Sequence, residues 1–474
     1  MKKLEFSLAI GLLAVLVVVS SPAQAADVDS FIRGQLNANG RADVFVKMAD
    51  DADLSTAVSM TERVARLNWV HDTLVANADR TQAPIREFLR GRGIDFTVFW
   101  INNSLFVEAA EADLVRELAA FDGVAYLTGN ETRPLITPHD FRMAPEPQGI
   151  EWGVSRINAP DVWGAGNTGE GIVVASIDTG VRWTHNALVN QYRGSDTLSH
   201  DYNWWDPQQS LAEPTDGSGH GTHVTGTMVG DDGGSNQVGV APGARWIAAE
   251  GCPGGSCPNF DLTTSAQWIA CPTDRNGNNP NCSMAPHVVN NSWAGGGGSD
   301  WYKGFVDAWI AAGIMPVFAA ANFGPGCSTL GSPGDNANNF GVASITISNQ
   351  LSSFSSRGPS VFGNRNMPDI SAPGSNVRSS WNTSDSAYAS ISGTSMAAPH
   401  VAASYALLVS DHPGFALAQY FKRMRQKTCK PILIAPTGAQ SCGGVDWDDF
   451  PSNHYGAGLL DVAAANGTNA SPCQ

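Results

Sequence analysis

Apolar residues follow two rhythms along this chain. In the second half, short apolar runs, Ile172 to Ile177, Trp246 to Glu250, Val288 to Asn291 and Met315 to Ala320, stop at polar or glycine turns. That is the pattern of strands buried on both faces. Phe260 to Ala270 and Trp301 to Ala312, lying between such runs, have helical length. The alternation predicts an α/β fold with a doubly wound parallel sheet and helices on both faces.

The first half reads differently. Asp43 to Met48 has strand character, and Met60, Val64, Leu67, Val70 and Leu74 keep helical spacing until Pro84 interrupts it. Phe96 to Ile101 and Leu105 to Ala109 predict two strands joined by the polar Asn102-Asn103-Ser104 turn. A helix through Leu114, Val115 and Leu118 and a last strand from Val124 to Leu127 complete a β-α-β-β-α-β order. That order predicts a small α+β domain of ferredoxin-like topology over residues 26–130. Residues 131–149 hold Pro134, Pro138, Pro145 and Pro147, which disfavour regular structure and predict an extended linker to a domain at 150–474.

Three polar interruptions of this pattern carry chemistry. Asp178 ends the run Ile172 to Ile177 before Thr179-Gly180, at a strand's carboxyl end, the edge where open α/β sheets bind ligands. His220 stands between Gly219 and Gly221 ahead of a small-residue helix, with room for its imidazole to meet two partners. Ser395, in Ser392-Gly393-Thr394-Ser395-Met396-Ala397-Ala398-Pro399-His400, opens an apolar helix reaching about Val409. Its first-turn amides are free to stabilise negative charge. Taken singly, each has a plainer reading: a structural aspartate, a core or metal-binding histidine, a helix cap. His220 and His223 are not a zinc-protease pair, because Gly221-Thr222 replaces the glutamate of H-E-x-x-H. Together they give the chain order Asp, His, Ser, one of the known orders of the serine triad.

On these residues the chain resembles the subtilisin-type serine proteases, and more narrowly their bacillopeptidase F branch. The likeness runs over most of 150–465 and includes Trp152-Gly153-Val154, Val240-Ala241-Pro242-Gly243-Ala244 and Asn290-Asn291-Ser292-Trp293. It continues through Phe354 to Pro359, Pro368 to Gly374 and the Ser395 segment. The resemblance implies a serine endopeptidase with Asp178, His220 and Ser395 as triad, and an oxyanion hole from the Ser395 amide and the Asn322 side chain. Family members usually have glycine before that asparagine, where this chain has Ala321. It also implies that Gly254-Gly255-Ser256 and Ser292-Trp293-Ala294-Gly295 are edges that pair with an extended peptide. Residues 26–130 would be an inhibitory propeptide cut away within 129–149 just before Glu151. No cofactor is implied for catalysis. Structural calcium is implied by analogy only; Asp274 to Asn278 alternates oxygen ligands but misplaces the glycine of a calcium loop, and a solvated turn suits it better. Asp446, Asp448 and Asp449 carry the same ambiguity.

Composition narrows the setting. Fifty glycines, 27 prolines and 15% charged residues in 474 describe a loop-rich globular protein, and a net charge of -16 argues against nucleic acid as a partner. Met1-Lys2-Lys3, the apolar run Leu8 to Val19 and Ala23-Gln24-Ala25 have the parts of a secretory signal peptide, cut after Ala25. A secreted or periplasmic monomer acting on proteins and peptides, with no membrane attachment after signal removal, is the expectation. Eight cysteines in an oxidising compartment predict four disulfides. Proximity favours Cys252 with Cys257, Cys271 with Cys282 and Cys429 with Cys442, leaving Cys327 for Cys473. Two other functions compete. A lipase or esterase would place its acid and histidine after the serine, and here both precede it. An inactive binding protein of this fold would be expected to lack a catalytic group, and none is missing.

Overall fold

The computed structural model describes residues 25–136, 138–144, 149–363 and 365–468. Nearly all of the expected signal segment, together with Cys473, therefore lies outside the described residues. Among those described, no helix is long and apolar enough to cross a membrane.

The small domain opens with β1 (Asp27–Val28) and α1 (Ser30–Asn39), two elements the sequence pattern did not announce. Only Ile32 of α1 is buried, so no apolar stripe marks the helix. Then follow β2 (Arg41–Met48), α2 (Arg63–Gly91), β3 (Thr97–Phe99), β4 (Ser104–Glu111), α3 (Ala112–Ala119) and β5 (Val124–Gly129). The sheet order is β1-β5-β2-β4-β3. Pro84 does not end α2, contrary to the expectation from sequence. Proline removes one helical hydrogen bond, but the buried stripe continues past it. Leu67, Val70 and Leu74 pack among Trp268 and Trp309 of the large domain, whereas Ile85 and Leu89 fill the small domain's own core. A break at Pro84 would uncouple the two.

The chain between the domains forms short strands, β6 (Thr132–Pro134), β7 (His139–Met143) and β8 (Gly149–Ile150). The large domain is built on β9 (Val173–Ile177), β10 (Trp204–Trp205), α4 (His220–Val229), β11 (Arg245–Ala249), β12 (Ser256–Pro258), α5 (Asn259–Ala270) and β13 (Val288–Asn291). It continues with α6 (Lys303–Ala312), β14 (Met315–Ala319), β15 (Phe340–Ile345), β16 (Ile370–Pro373), β17 (Val377–Ser380), β18 (Tyr388–Ser392), α7 (Thr394–Asp411), β19 (Thr428–Cys429) and β20 (Leu459–Leu460). Nine strands join in the order β10-β11-β9-β13-β14-β15-β16-β20-β19. Every pair is parallel except β20 with β19. The order turns back on itself at β9, which places a crevice at the carboxyl ends of β9 and β13, beside Asp178 and Ser292.

Disulfides join Cys252 to Cys257 and Cys271 to Cys282, as proximity suggested. The third corrects the sequence reading: Cys327 pairs with Cys442, 115 residues away, and not with Cys473. Because Cys442 is taken by Cys327, it is not the partner of Cys429, which is disulfide-bonded too. Distance along the chain was the wrong guide, because folding returns the segment around Cys442 to the loop after β14.

Candidate active site

Asp178 leaves the end of β9 fully buried, and its Oδ1 accepts from His220 Nδ1 at 2.7 Å and from the Thr179 amide at 2.8 Å. The glycines around His220 are sterically required. A Cβ on Gly221 would sit 2.1 Å from the Gly180 carbonyl oxygen, and one on Gly219, which has φ +97°, would sit 2.6 Å from Trp381. Asp216, which motif reading passed over, organises this turn. It accepts from the amides of Ser218, Gly219 and Thr222 and from the hydroxyls of Thr179 and Thr222. An aspartate followed by Gly-Ser-Gly was the available signal, since such a side chain caps the amides of the turn after it. Burial raises the Asp216 carboxyl, and these donors oppose the shift.

His223 belongs to the core. Its Nε2 lies 3.0 Å from the Val377 carbonyl, and burial lowers its pKa to about 3, so it stays neutral. His71, Cys271 and Cys282 cluster as well, but both sulfurs are committed to a disulfide. Asp274 accepts from the amides of Asn276 and Asn278 and from the Asn279 side chain. Those donors occupy the carboxylate, so the loop is a self-capped turn and does not suit a calcium ion.

Ser395 is the second residue of α7. Its Oγ donates to the Ser292 carbonyl at 3.0 Å, and Ser292 Oγ donates to the Ser395 carbonyl at 2.8 Å. Pro399 explains the second bond: lacking an N–H, it leaves the carbonyl four residues earlier, that of Ser395, without a helical donor. Ser292 supplies one and thereby staples the end of β13 to the serine's own backbone. In this arrangement the Ser395 hydroxyl is turned to Ser292, and His220 Nε2 is buried without a hydrogen-bond partner.

Asn322 follows β14 as expected. Its Oδ1 accepts from both the amide and the hydroxyl of Thr394, each at 2.9 Å, which fixes the amide's orientation. Nδ2 is thereby left unpartnered, 3.2 Å from where a Cβ on Gly393 would stand. Two buried donor or acceptor atoms, His220 Nε2 and Asn322 Nδ2, are thus unspent around the α7 N-terminus.

The two segments expected as substrate edges are tied to Asp178 and Ser395: the Cys252 amide donates to the Asp178 carbonyl, and Ser292 bonds to Ser395. Gly254 and Gly255 have φ +60° and +89°, a left-handed turn that glycine takes without strain, and the Cys252–Cys257 disulfide closes it. Ser256 begins β12, which pairs antiparallel with β6. In the other segment, Ser292, Trp293, Ala294 and Gly295 extend from β13. Trp293 is core rather than surface, packed edge-on against Tyr302 and Phe318. Trp204 and Trp205 are both buried as well.

Residues 169–458 match the subtilase family. The chain is 36% identical over 453 residues to bacillopeptidase F of Bacillus subtilis, an alignment covering 90% of this chain and 30% of that protein. It is 32% identical over 368 residues to subtilisin E of the same organism, covering 76% and 81%, and 32% identical over 319 residues to subtilisin Savinase of Lederbergia lenta, covering 67% and 99%. The chain thus spans less than a third of bacillopeptidase F but most of each subtilisin. A doubly wound sheet, an aspartate bound to a histidine at its carboxyl edge and a serine opening the helix beside them stand within a match of that length, and the chain belongs to the subtilase family of serine endopeptidases.

Proposed function

We propose that this chain is a secreted endopeptidase, synthesised as a self-processing zymogen, that hydrolyses peptide bonds of proteins and peptides through an acyl-enzyme on Ser395. His220 Nε2 takes the serine proton during attack and returns it to the departing amine, while Asp178 holds Nδ1 and stabilises the charged imidazole. The Ser395 amide and Asn322 Nδ2 bind the oxyanion. The observation that carries this reading is the pair of buried, unspent atoms, His220 Nε2 and Asn322 Nδ2, beside a serine at a helix N-terminus. The hydroxyl needs only a turn about its Cα–Cβ bond to leave the Ser292 carbonyl, and catalytic hydrogen bonds often tighten only when substrate arrives.

Residues 26–130 are, in this proposal, a ferredoxin-like propeptide that inhibits the large domain until it is cut. The sheet order β5-β2-β4-β3, with a helix after β2 and another after β4, supports the topology. The interface supports the role. Arg66 donates to the carbonyls of Ile310 and Ala311 at the open end of α6, and Arg63 to those of Ala285 and Pro286. Phe260 packs against Phe99 and Phe106.

Ser395→Ala tests the assignment. Expected are a folded chain of unchanged melting temperature, no hydrolysis of a chromogenic peptide and no self-processing; wild-type turnover would remove Ser395 from the mechanism.

A further inference from the structure

The segment joining the domains is bound on both sides of Ser395. Upstream, β6 lies antiparallel to β12 with Pro134 opposite Ser256, and the Leu135 amide donates to the Gly255 carbonyl at 2.9 Å. This is a strand added to the expected substrate edge. The next side chain, Ile136, is 6% exposed and belongs to the buried cluster containing Ala294, Ala319 and Ala321, the residues leading to Asn322 and forming the other expected edge. Downstream, β7 lies antiparallel to β18 with His139 opposite Ser392, three residues before Ser395. In sequence, only residues 136–138 separate the two anchorages.

Arg133 is held as well. Its guanidinium stands 5.3 Å over the Trp301 ring, in a recess also lined by Trp293, Ser299 and Tyr302, and its Nε lies 3.3 Å from Asn259 Oδ1. Glu131 approaches it to 3.6 Å. Gly295 makes the space: a Cβ there would meet Arg133 Nη1 at 2.7 Å.

We propose that the enzyme's first substrate is its own bond after Ile136, so that the processed chain begins at Thr137, and that the site selects a branched aliphatic residue before the cut and an arginine three residues further upstream. The inference rests on the zymogen reading above. It moves the cut upstream of the expected position before Glu151 and leaves β7 with the processed enzyme. Ser395 Oγ bonds to the Ile136 carbonyl carbon as its proton passes to His220; the C–N bond breaks, and that proton goes to the Thr137 amine. Water then hydrolyses the ester, leaving the Ile136 carboxylate and a free serine.

The test is the N-terminal sequence of the processed protein from wild-type and Ser395→Ala full-length chains. Thr137 as the new terminus in wild type, with the variant uncut there, is the expected result. A Ser395-dependent first cut at another bond within 129–149 would overturn this inference and leave the zymogen reading standing. A fully active chain that never loses residues 26–130 would overturn the zymogen reading itself. Selectivity is measured separately on peptides, so that no result depends on a variant folding. Processed enzyme is given Glu-Thr-Arg-Pro-Leu-Ile-Thr-Pro and its analogues with Glu in place of Arg or of Ile. Each replacement is expected to lower kcat/KM by about tenfold or more; equal cleavage of all three would overturn the selectivity.

Discussion

Ala321 holds a left-handed backbone, φ +81°, at a fully buried position directly before Asn322. For an alanine this costs about 1–2 kcal/mol. Glycine would relieve the strain but would lose a buried methyl and gain freedom in the unfolded chain, so Ala321→Gly is expected to shift stability by less than about 1 kcal/mol. Turnover should hold within about twofold, because Thr394 fixes the Asn322 amide from the other side. Ala321→Val, β-branched in the left-handed region, should cost more than about 2 kcal/mol. Urea titration of both variants with parallel kinetics checks this; a Val variant as stable as wild type would contradict the strain. Asn322→Ala removes the side-chain donor itself. Its turnover is expected to fall about 100- to 1000-fold with little change in KM, the range found for the oxyanion donor of subtilisin. Steady-state kinetics distinguishes this from a binding defect, in which KM would rise instead.

At the scale of elements, what matters is where strands stop. Glu250 directly follows β11, Asp206 follows β10, and Asp261 stands in the first turn of α5, so three acids gather near the carboxyl edge of the sheet. Burial first, then the charges of Asp206, Asp216 and Asp261, push the Glu250 carboxyl up to about 8. Burial also raises Asp261, to about 6, against a hydrogen bond from Gln208. Folded, Glu250 keeps its proton to about pH 8; unfolded, it loses it near pH 4–5. Between those values the folded chain binds more protons, so this group makes stability fall as pH rises. Glu250→Gln cannot ionise. Its melting temperature is expected to decline less than that of wild type from pH 5 to 8 and to be higher at pH 8. Parallel pH profiles would show that the cluster is already ionised in the fold.

Over the whole molecule, two long-range links hold the site's surroundings. Cys327, in the loop after Asn322, is tied to Cys442 in the C-terminal segment across 115 residues, against 5 for Cys252–Cys257. Closing the longer loop restricts the unfolded chain far more. Replacing Cys327 and Cys442 by serine is therefore expected to lower stability by about 2–5 kcal/mol, with the shorter bridge costing less. Denaturant titration of the two double variants gives the order, and a larger loss from the shorter bridge would reverse the argument. The other link is α2, whose unbroken length joins the small domain's core to the large domain's.

The sequence by itself determined most strands of the large domain and the family to which the chain belongs. Apolar runs of strand length ending at Asp178 and before Asn322 announced the parallel sheet, because a strand buried on both faces leaves an unmistakable local trace. Glycines at 254 and 255 marked a left-handed turn, which glycine takes without strain, again a local property. What depends on distant partners was decided only by tertiary structure. Asp216 is an ordinary aspartate until five donors close around it, and Pro84 reads as a helix stop until two cores hold the helix on either side of it. Cys327 finds Cys442 rather than the partner that spacing suggested, and Ile136 is an unremarkable linker residue until β6 pairs with β12 and β7 with β18. Local pattern records the conformation each segment prefers; which segments meet is set by the burial of surfaces far apart in the chain, and that information is spread over all of it.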